Sequence, residues 1–241
     1  MKFPALILMA ALTGIAAIAC TSDSAATSAP TSAPTRETSV RPGINAKYFE
    51  DPRIETWQKA FETESREIYA KRKDIVAAVG LAPGTRVGDI GCGTGLFTAP
   101  FAAAVGPEGK VFAVDIVPSF TKHIDEIRQK TGFTNIEAVL CKEDSVELAA
   151  NSIDVAFLCD VYHHFEYPKS SLASIRRALV TTGELVVIDF IRIPGKSREW
   201  VLNHVRAGQD VVEQEIAAAG FVKIDEKPLL AENYFIRFKK R

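Results

Sequence analysis

Neither sign of charge dominates this chain of 241 residues: 29 lysines and arginines stand against 30 aspartates and glutamates, a formal net charge of -1. The basic surface that phosphate backbones require is therefore missing, and nucleic acid is not expected as a partner. The one basic run, Arg237-Phe238-Lys239-Lys240-Arg241, is a short terminal cluster of the kind a solvated strand end carries. Cysteine is scarce as well. Of four, three follow Cys20, an odd number for a disulfide framework, and a chain of this size buries enough core to do without one. Cys92, Cys141 and Cys159 are expected as buried free thiols in or beside a sheet. No C-x-x-C, H-x-H or H-x-x-x-H spacing occurs, so the local pattern predicts no metal site.

Long apolar runs are confined to the beginning. Met1-Lys2 precedes an apolar stretch at 3–19 that is short for a membrane span, followed by small residues and Cys20. That order is the pattern of a secretory signal. Ala17-Ile18-Ala19-Cys20 resembles a bacterial lipoprotein processing site, with alanine where leucine is commonest. The resemblance implies a lipid on Cys20, membrane attachment through it and export to the bacterial cell envelope; cleavage after Ala19 by an ordinary signal peptidase is the alternative. Residues 21–42 are rich in Ser, Thr, Ala and Pro and offer almost nothing to pack, which reads as a disordered tether. The expected organisation is a signal at 1–20, a linker at 21–45 and one domain at 46–241.

What the chain does have is Val87-Gly88-Asp89-Ile90-Gly91-Cys92-Gly93-Thr94-Gly95, a buried strand running into a glycine-dense turn and then helical spacing. Glycine lets the backbone take positive φ and approach a ligand that a Cβ would hold off. The dinucleotide fingerprint G-x-G-x-x-G fails in both registers, because its third glycine falls on Leu96 or on Thr98. A nicotinamide-dependent dehydrogenase is disfavoured for that reason. Asp89 adds a carboxylate at the strand end that suits an ammonium better than a diphosphate. A second strand, Lys110-Val111-Phe112-Ala113-Val114-Asp115, ends in a carboxylate at the position that meets ribose hydroxyls in doubly wound nucleotide sites.

Alternation continues along the chain. A long amphipathic helical stretch at 53–79 precedes strands at 85–90, 111–115, 136–140, 153–159 and 184–191, with helices starting at Pro118 and Pro168 between them. Thr181-Thr182-Gly183 is expected to turn the chain into the fifth of these strands. A helix at 210–219 stops at Gly220, and strands at 221–225 and 234–238 close as a hairpin. The fold class is α/β: a Rossmann-like, doubly wound, mostly parallel seven-stranded sheet with a C-terminal antiparallel hairpin.

The D-I-G-C-G-T-G turn, the V-F-A-V-D strand and Asp154-Val155-Ala156-Phe157-Leu158-Cys159-Asp160 resemble motifs of the class I S-adenosylmethionine-dependent methyltransferases, over a stretch from about Gly84 onward. The overall pattern is similar to stand-alone bacterial members of the quinone-biosynthesis type. The resemblance implies S-adenosyl-L-methionine as cofactor and a small-molecule acceptor. It places Asp89, Gly91, Cys92, Gly93 and Gly95 around the methionyl part, Asp115 on the ribose and Ile116 against the adenine. Asp144, with Glu143 beside it, falls where the adenine amino group is met, and Asp160 lies near the cofactor at the end of the fourth strand.

Methyl transfer from a sulfonium is an in-line displacement, so the protein positions donor and acceptor, excludes water and, for an oxygen or nitrogen acceptor, removes a proton. His163 and His164 are the base candidates, with Asp160 and Tyr162 as orienting groups. His204, between the fifth strand and the last helix, is placed to fold over the same pocket. Glu64, Arg66 and Tyr69 on the first helical stretch are substrate-side candidates if that stretch acts as a lid. A catalytically silent lipoprotein that binds S-adenosylmethionine or a related nucleoside is the competing reading, since export separates the chain from the cytosolic source of the cofactor. No feature of the sequence assigns the acceptor atom or an oligomeric state.

Overall fold

A computed structural model describes residues 37–64 and 66–241; the expected signal and most of the expected linker lie outside the described residues. Three helices come first, α1 (Ala46–Glu50), α2 (Ile54–Glu64) and α3 (Arg66–Val79), the last two covering the long helical stretch read from the sequence. Strands and helices then alternate as β1 (Arg86–Ile90), α4 (Thr98–Val105), β2 (Lys110–Asp115), α5 (Pro118–Thr131), β3 (Ile136–Leu140), β4 (Ile153–Cys159), α6 (Pro168–Ala178) and β5 (Leu179–Phe190). After α7 (Glu199–His204) and α8 (Gln209–Ala218), the chain closes with β6 (Phe221–Glu226) and β7 (Asn233–Lys240). Among the described residues, no helix is long and apolar enough to cross a membrane.

The seven strands form one sheet in the order β3-β2-β1-β4-β5-β7-β6. The first five run parallel, and β7 is antiparallel to both β5 and β6. Successive side chains of a strand point to opposite faces, and the interior strands carry apolar residues on both. On β5, Leu185 and Val187 join a core with Leu172 and Ile175 of α6 and Ile216 of α8. Val186 and Ile188, one step out of phase, face Ile75 of α3, Phe101 of α4 and Ile124 of α5. Continuous apolar runs in the strands thus dictate helices on both sides.

Local signals fix the ends of several helices. Pro118 begins α5 with φ already set, and Gly132 ends it in the left-handed conformation at φ 76°, its N–H donating to the Arg128 carbonyl. Pro168 opens α6, whose N-terminus is capped from far away: the Glu37 carboxylate accepts from the backbone N–H groups of Lys169 and Ser170 at 2.9 and 2.7 Å. Ser39 and Gly43 likewise donate to the buried Glu166 carboxylate at 2.8 and 3.1 Å. Glu37, Ser39 and Gly43, in the stretch expected as linker, thus hydrogen-bond to the turn before α6 and to its first residues.

One turn was expected in the wrong form. Thr181-Thr182-Gly183 lies within β5, where the pairing with β4 advances two residues on β4, Ile153 to Val155, and five on β5, Leu179 to Glu184. The extra residues are absorbed as a bulge. Gly183 is needed for space, since a Cβ would sit 2.9 Å from Leu179 Cδ2 and 3.0 Å from the Val180 carbonyl oxygen.

Candidate active site

Strand order reverses between β1 and β4, so the connections leaving their carboxyl ends diverge and open a crevice. A cavity of about 290 Å³ lies there. Its floor is the glycine turn. Gly91, Gly93 and Gly95 have φ of 69°, 51° and 81°, a region that L side chains avoid. A Cβ on Gly91 would stand 2.5 Å from both γ carbons of Val161, and one on Gly95 would stand 2.7 Å from Ile127 Cδ1. The turn is tied down by the Gly91 and Cys92 N–H groups, which donate to the Val114 carbonyl at 2.8 and 3.0 Å.

Two buried carboxylates flank that turn. Asp89 accepts from the Thr98 hydroxyl at 2.6 Å, and burial raises its carboxyl to about 7 against the opposing effect of that bond. Asp115 accepts from the backbone N–H groups of Gly93 and Val117, each at 2.9 Å, and burial raises it to about 6. No cationic side chain among the described residues holds either one down. A buried carboxylate without a cation is costly to ionise, so the pair is suited to a ligand that brings positive charge and hydroxyl donors.

The far end of the cavity is built from rings. His163 and His164 occupy a short 3-10 turn (Tyr162–His164) after β4, and His204 ends α7. Asp189 of β5 is buried beneath them, accepting from His163 Nδ1 at 2.7 Å and from the His163 backbone N–H at 3.1 Å. His164 Nδ1 faces Asn45 Oδ1 at 3.0 Å. Burial and the neighbouring His163 hold His164 well below the usual histidine range, and the same two causes take His204 to about 4. Both are neutral imidazoles at neutral pH. Above them, Tyr48, Trp57 and Phe120 pack as a separate apolar cluster with Phe61 and Ile116 against it.

Asp89, Gly91, Cys92, Gly93, Asp115, Ile116, Asp160, His163, His164 and His204 all line the cavity, as does Tyr69. Asp160 does so at φ 54°, unusual for a non-glycine residue, with its Oδ1 accepting from Asn233 Nδ2 at 2.6 Å. Four candidates stand elsewhere. Gly95 packs behind the turn against α5. Tyr162 is fully buried and donates to Glu215 at 2.7 Å, and it does not reach the cavity wall. Between β3 and β4 it is Glu143 and not Asp144 that lines the cavity. Arg66 is exposed, while the side chain of Glu64 lies outside the described residues. Of the three thiols, Cys92 is buried and Cys141 and Cys159 are half-buried, and all are free and on the cavity wall.

Sequence reasoning missed Asn45, Tyr48, Phe61 and Asp189. Asn45 and Tyr48 adjoin the low-complexity stretch and carry no motif. Asp189 had a signal: a carboxylate in the otherwise apolar Val186-Val187-Ile188-Asp189-Phe190 of an interior strand needs a partner.

A family model described as a methyltransferase domain matches residues 81–233. A ubiquinone/menaquinone biosynthesis C-methyltransferase of Ectopseudomonas mendocina is 33% identical over 117 residues, which are 48% of this chain and 45% of that protein. One from Burkholderia mallei is 30% identical over 119 residues, 49% of this chain and 48% of its own length. The chain thus spans about half the length of the curated relatives it matches. Among solved structures, a SAM dependent methyltransferase from Aquifex aeolicus superposes with a TM-score of 0.67 at 21% identity, covering 78% of this chain and 97% of that one. The Burkholderia thailandensis 1,6-didemethyltoxoflavin-N1-methyltransferase, bound to 1,6-didemethyltoxoflavin and S-adenosylhomocysteine, gives 0.59 at 20% identity, covering 83% and 90%. The sheet order, the glycine turn with its two carboxylates and a family match over more than half of the sequence lead to one conclusion: this chain belongs to the methyltransferase domain family, the class I S-adenosylmethionine-dependent methyltransferases.

Proposed function

We propose that this protein transfers the methyl group of S-adenosyl-L-methionine to a small molecule bound between the glycine turn and the histidine cluster. The observation that carries the reading is the pair of buried carboxylates, Asp89 and Asp115, raised by burial and without a cationic side chain beside them. The donor supplies an ammonium and a sulfonium to offset those charges and ribose hydroxyls to donate to Asp115. Ile116 and Phe120 offer an apolar wall for the adenine, and Glu143 stands on the cavity wall in the place expected of Asp144.

In the transfer the acceptor's electron pair forms the new bond to carbon while the S–CH3 pair stays on sulfur, leaving S-adenosylhomocysteine. The protein's part is to align the two reactants and keep water out. Where the acceptor carries a proton, His163 Nε2 receives it. The Nδ1–H bond to Asp189 fixes the tautomer and stabilises the imidazolium that forms. Named activities of the relatives, C-methylation in ubiquinone and menaquinone biosynthesis and N-methylation of 1,6-didemethyltoxoflavin, support a small-molecule acceptor. The aromatic cover of Tyr48 and Phe61 suits one with an apolar ring.

The place of action follows from residues 1–20, which fit a lipoprotein signal. Incorporation of labelled palmitate that disappears in a Cys20→Ala chain tests the anchor; equal labelling of both chains would overturn it. Incubation with methyl-labelled donor and envelope extract tests the activity. A labelled small molecule is expected, and donor binding with no labelled product in any fraction would leave a silent binding protein instead.

A further inference from the structure

Three of the four histidines of this chain meet at one end of the cavity. A ring nitrogen from each of His163, His164 and His204 lies within 4.8 Å of those of the other two. Their ring centroids stand 4.3 Å apart for His163 and His164, and 5.1 Å from each of these to His204. The fourth, His123, is on α5, beside Glu126 and apart from the cluster.

Hydrogen bonds determine which nitrogens of the first two are left to one another. A carboxylate only accepts, so the 2.7 Å contact with Asp189 puts a proton on His163 Nδ1, and in the neutral ring the lone pair is then on Nε2. Asn45 Nδ2 donates to the His164 carbonyl at 3.1 Å, which turns Asn45 Oδ1 toward His164 Nδ1 and puts that proton on Nδ1 too. The lone pair of His164 is then on Nε2, 3.4 Å from the Tyr48 hydroxyl. A carboxylate or amide oxygen behind each Nδ1–H is the support that orients histidines around a metal ion.

A general base requires one such ring. Three imidazoles whose ring nitrogens all lie within 4.8 Å of one another form a set that a single cation can bridge. We propose that His163, His164 and His204 together bind one divalent first-row transition-metal ion through their ring nitrogens, with an open position toward the cavity. An all-imidazole donor set suits zinc, iron, cobalt, nickel or copper and not magnesium or calcium, which take oxygen ligands. Tetrahedral coordination at about 2.05 Å puts ligand nitrogens roughly 3.4 Å apart, so from the widest separation of 4.8 Å the nitrogens close by up to about 1.4 Å. Rotation of the imidazoles supplies that movement. Asp189 contributes a negative charge behind His163; Arg41 and Lys47 oppose on the outer side, the Arg41 guanidinium being engaged by the carbonyls of Asn203 and His204. Binding of the ion is independent of donor binding and of the displacement itself, but it takes the His163 Nε2 lone pair, so proton removal by that nitrogen belongs to the metal-free chain alone. Any role in turnover, as a Lewis acid on an acceptor oxygen in the open position, rests on the methyl-transfer reading.

The test is titration of the chelator-treated full chain with Zn2+ by calorimetry and with Co2+ by visible absorption. One ion per chain is expected, with the intense ligand-field bands of four- or five-coordinate cobalt. His164→Ala and His204→Ala should each weaken Zn2+ by about 100-fold or more, and Asp189→Asn by about 10–100-fold. His123→Ala should leave it unchanged. S-adenosylmethionine binding by the same variants reports whether they fold, and the cobalt spectrum of the unaltered chain decides the matter if they do not. The weak spectrum of hexa-aqua cobalt, thiolate charge-transfer absorption that moves the ion to the cysteines, or Zn2+ affinity indifferent to His164 and His204 would each overturn the proposal. A chain that binds donor but no metal loses this inference alone; one that binds metal but no donor loses the proposed function alone.

Discussion

Single residues carry the cofactor side of the account. At Asp89 and Asp115 the folded values of about 7 and about 6 lie above the roughly 3.9 of an unfolded aspartate, so the native state holds more protons across that interval. Stability contributed by these groups is therefore present at low pH and falls as pH rises through about 4 to 7. A cationic ligand binds the ionised forms, so donor affinity is expected to rise over the same interval and level off above it. Calorimetry in buffers of different ionisation enthalpy should detect proton release on binding at about pH 6; affinity that falls with rising pH would contradict the assignment. Gly91→Ala meets both a positive φ and the Val161 side chain, and is expected to cost about 3 kcal/mol. In a domain of this size that lowers the melting temperature by roughly 10 °C. Glu143→Gln should weaken donor binding while Asp144→Asn does not, since only the former lines the cavity. The reverse ranking would restore Asp144 to the adenine. The choice between these neighbours was closed to the sequence, because it turns on which way a short loop rotates its side chains.

At the scale of elements, the cover over the cavity is formed by α1 and α2 with a ring cluster of Tyr48, Trp57, Phe61 and Phe120. Tyr48 and Trp57 stand 4.7 Å apart between centroids, and Tyr48 also meets His164 edge-on at 5.5 Å. Removing the Trp57 ring takes away a keystone of the cover and touches neither carboxylate. Trp57→Ala is expected to raise the acceptor KM about tenfold or more and to weaken the donor by a smaller factor, because Phe120 and Ile116 of the adenine wall pack in the same cluster, measured by steady-state kinetics and calorimetry; a donor loss as large as the acceptor loss would tie the cover to the cofactor instead. The alternating strands and helices were legible because period and glycine or proline punctuation are local properties. The β5 bulge was not, since Gly183 reads alike in a turn and in a crowded strand. Nor were the contacts of Glu37 and Ser39, which act on residues well over a hundred positions away.

For the whole molecule, the sheet order places the glycine turn, Asp115 and the histidine turn at one switch point, and the cofactor half of the site was legible because its residues fall in motifs. The acceptor half was legible in part: His164 and His204 are singled out by the sequence, whereas Asn45 and Asp189, on two further segments, are brought to them only by folding. Saturating donor should stabilise the folded chain, by about 2.7 kcal/mol at a hundredfold excess over Kd.

The most direct measurement is calorimetric titration of the full chain and of an Asp115→Ala chain with S-adenosylmethionine. One site per chain is predicted, with the alanine chain binding at least about tenfold more weakly, the loss expected when a charge-assisted hydrogen bond is removed. Absence of binding by the parent chain, or equal affinity in the two, would contradict the account.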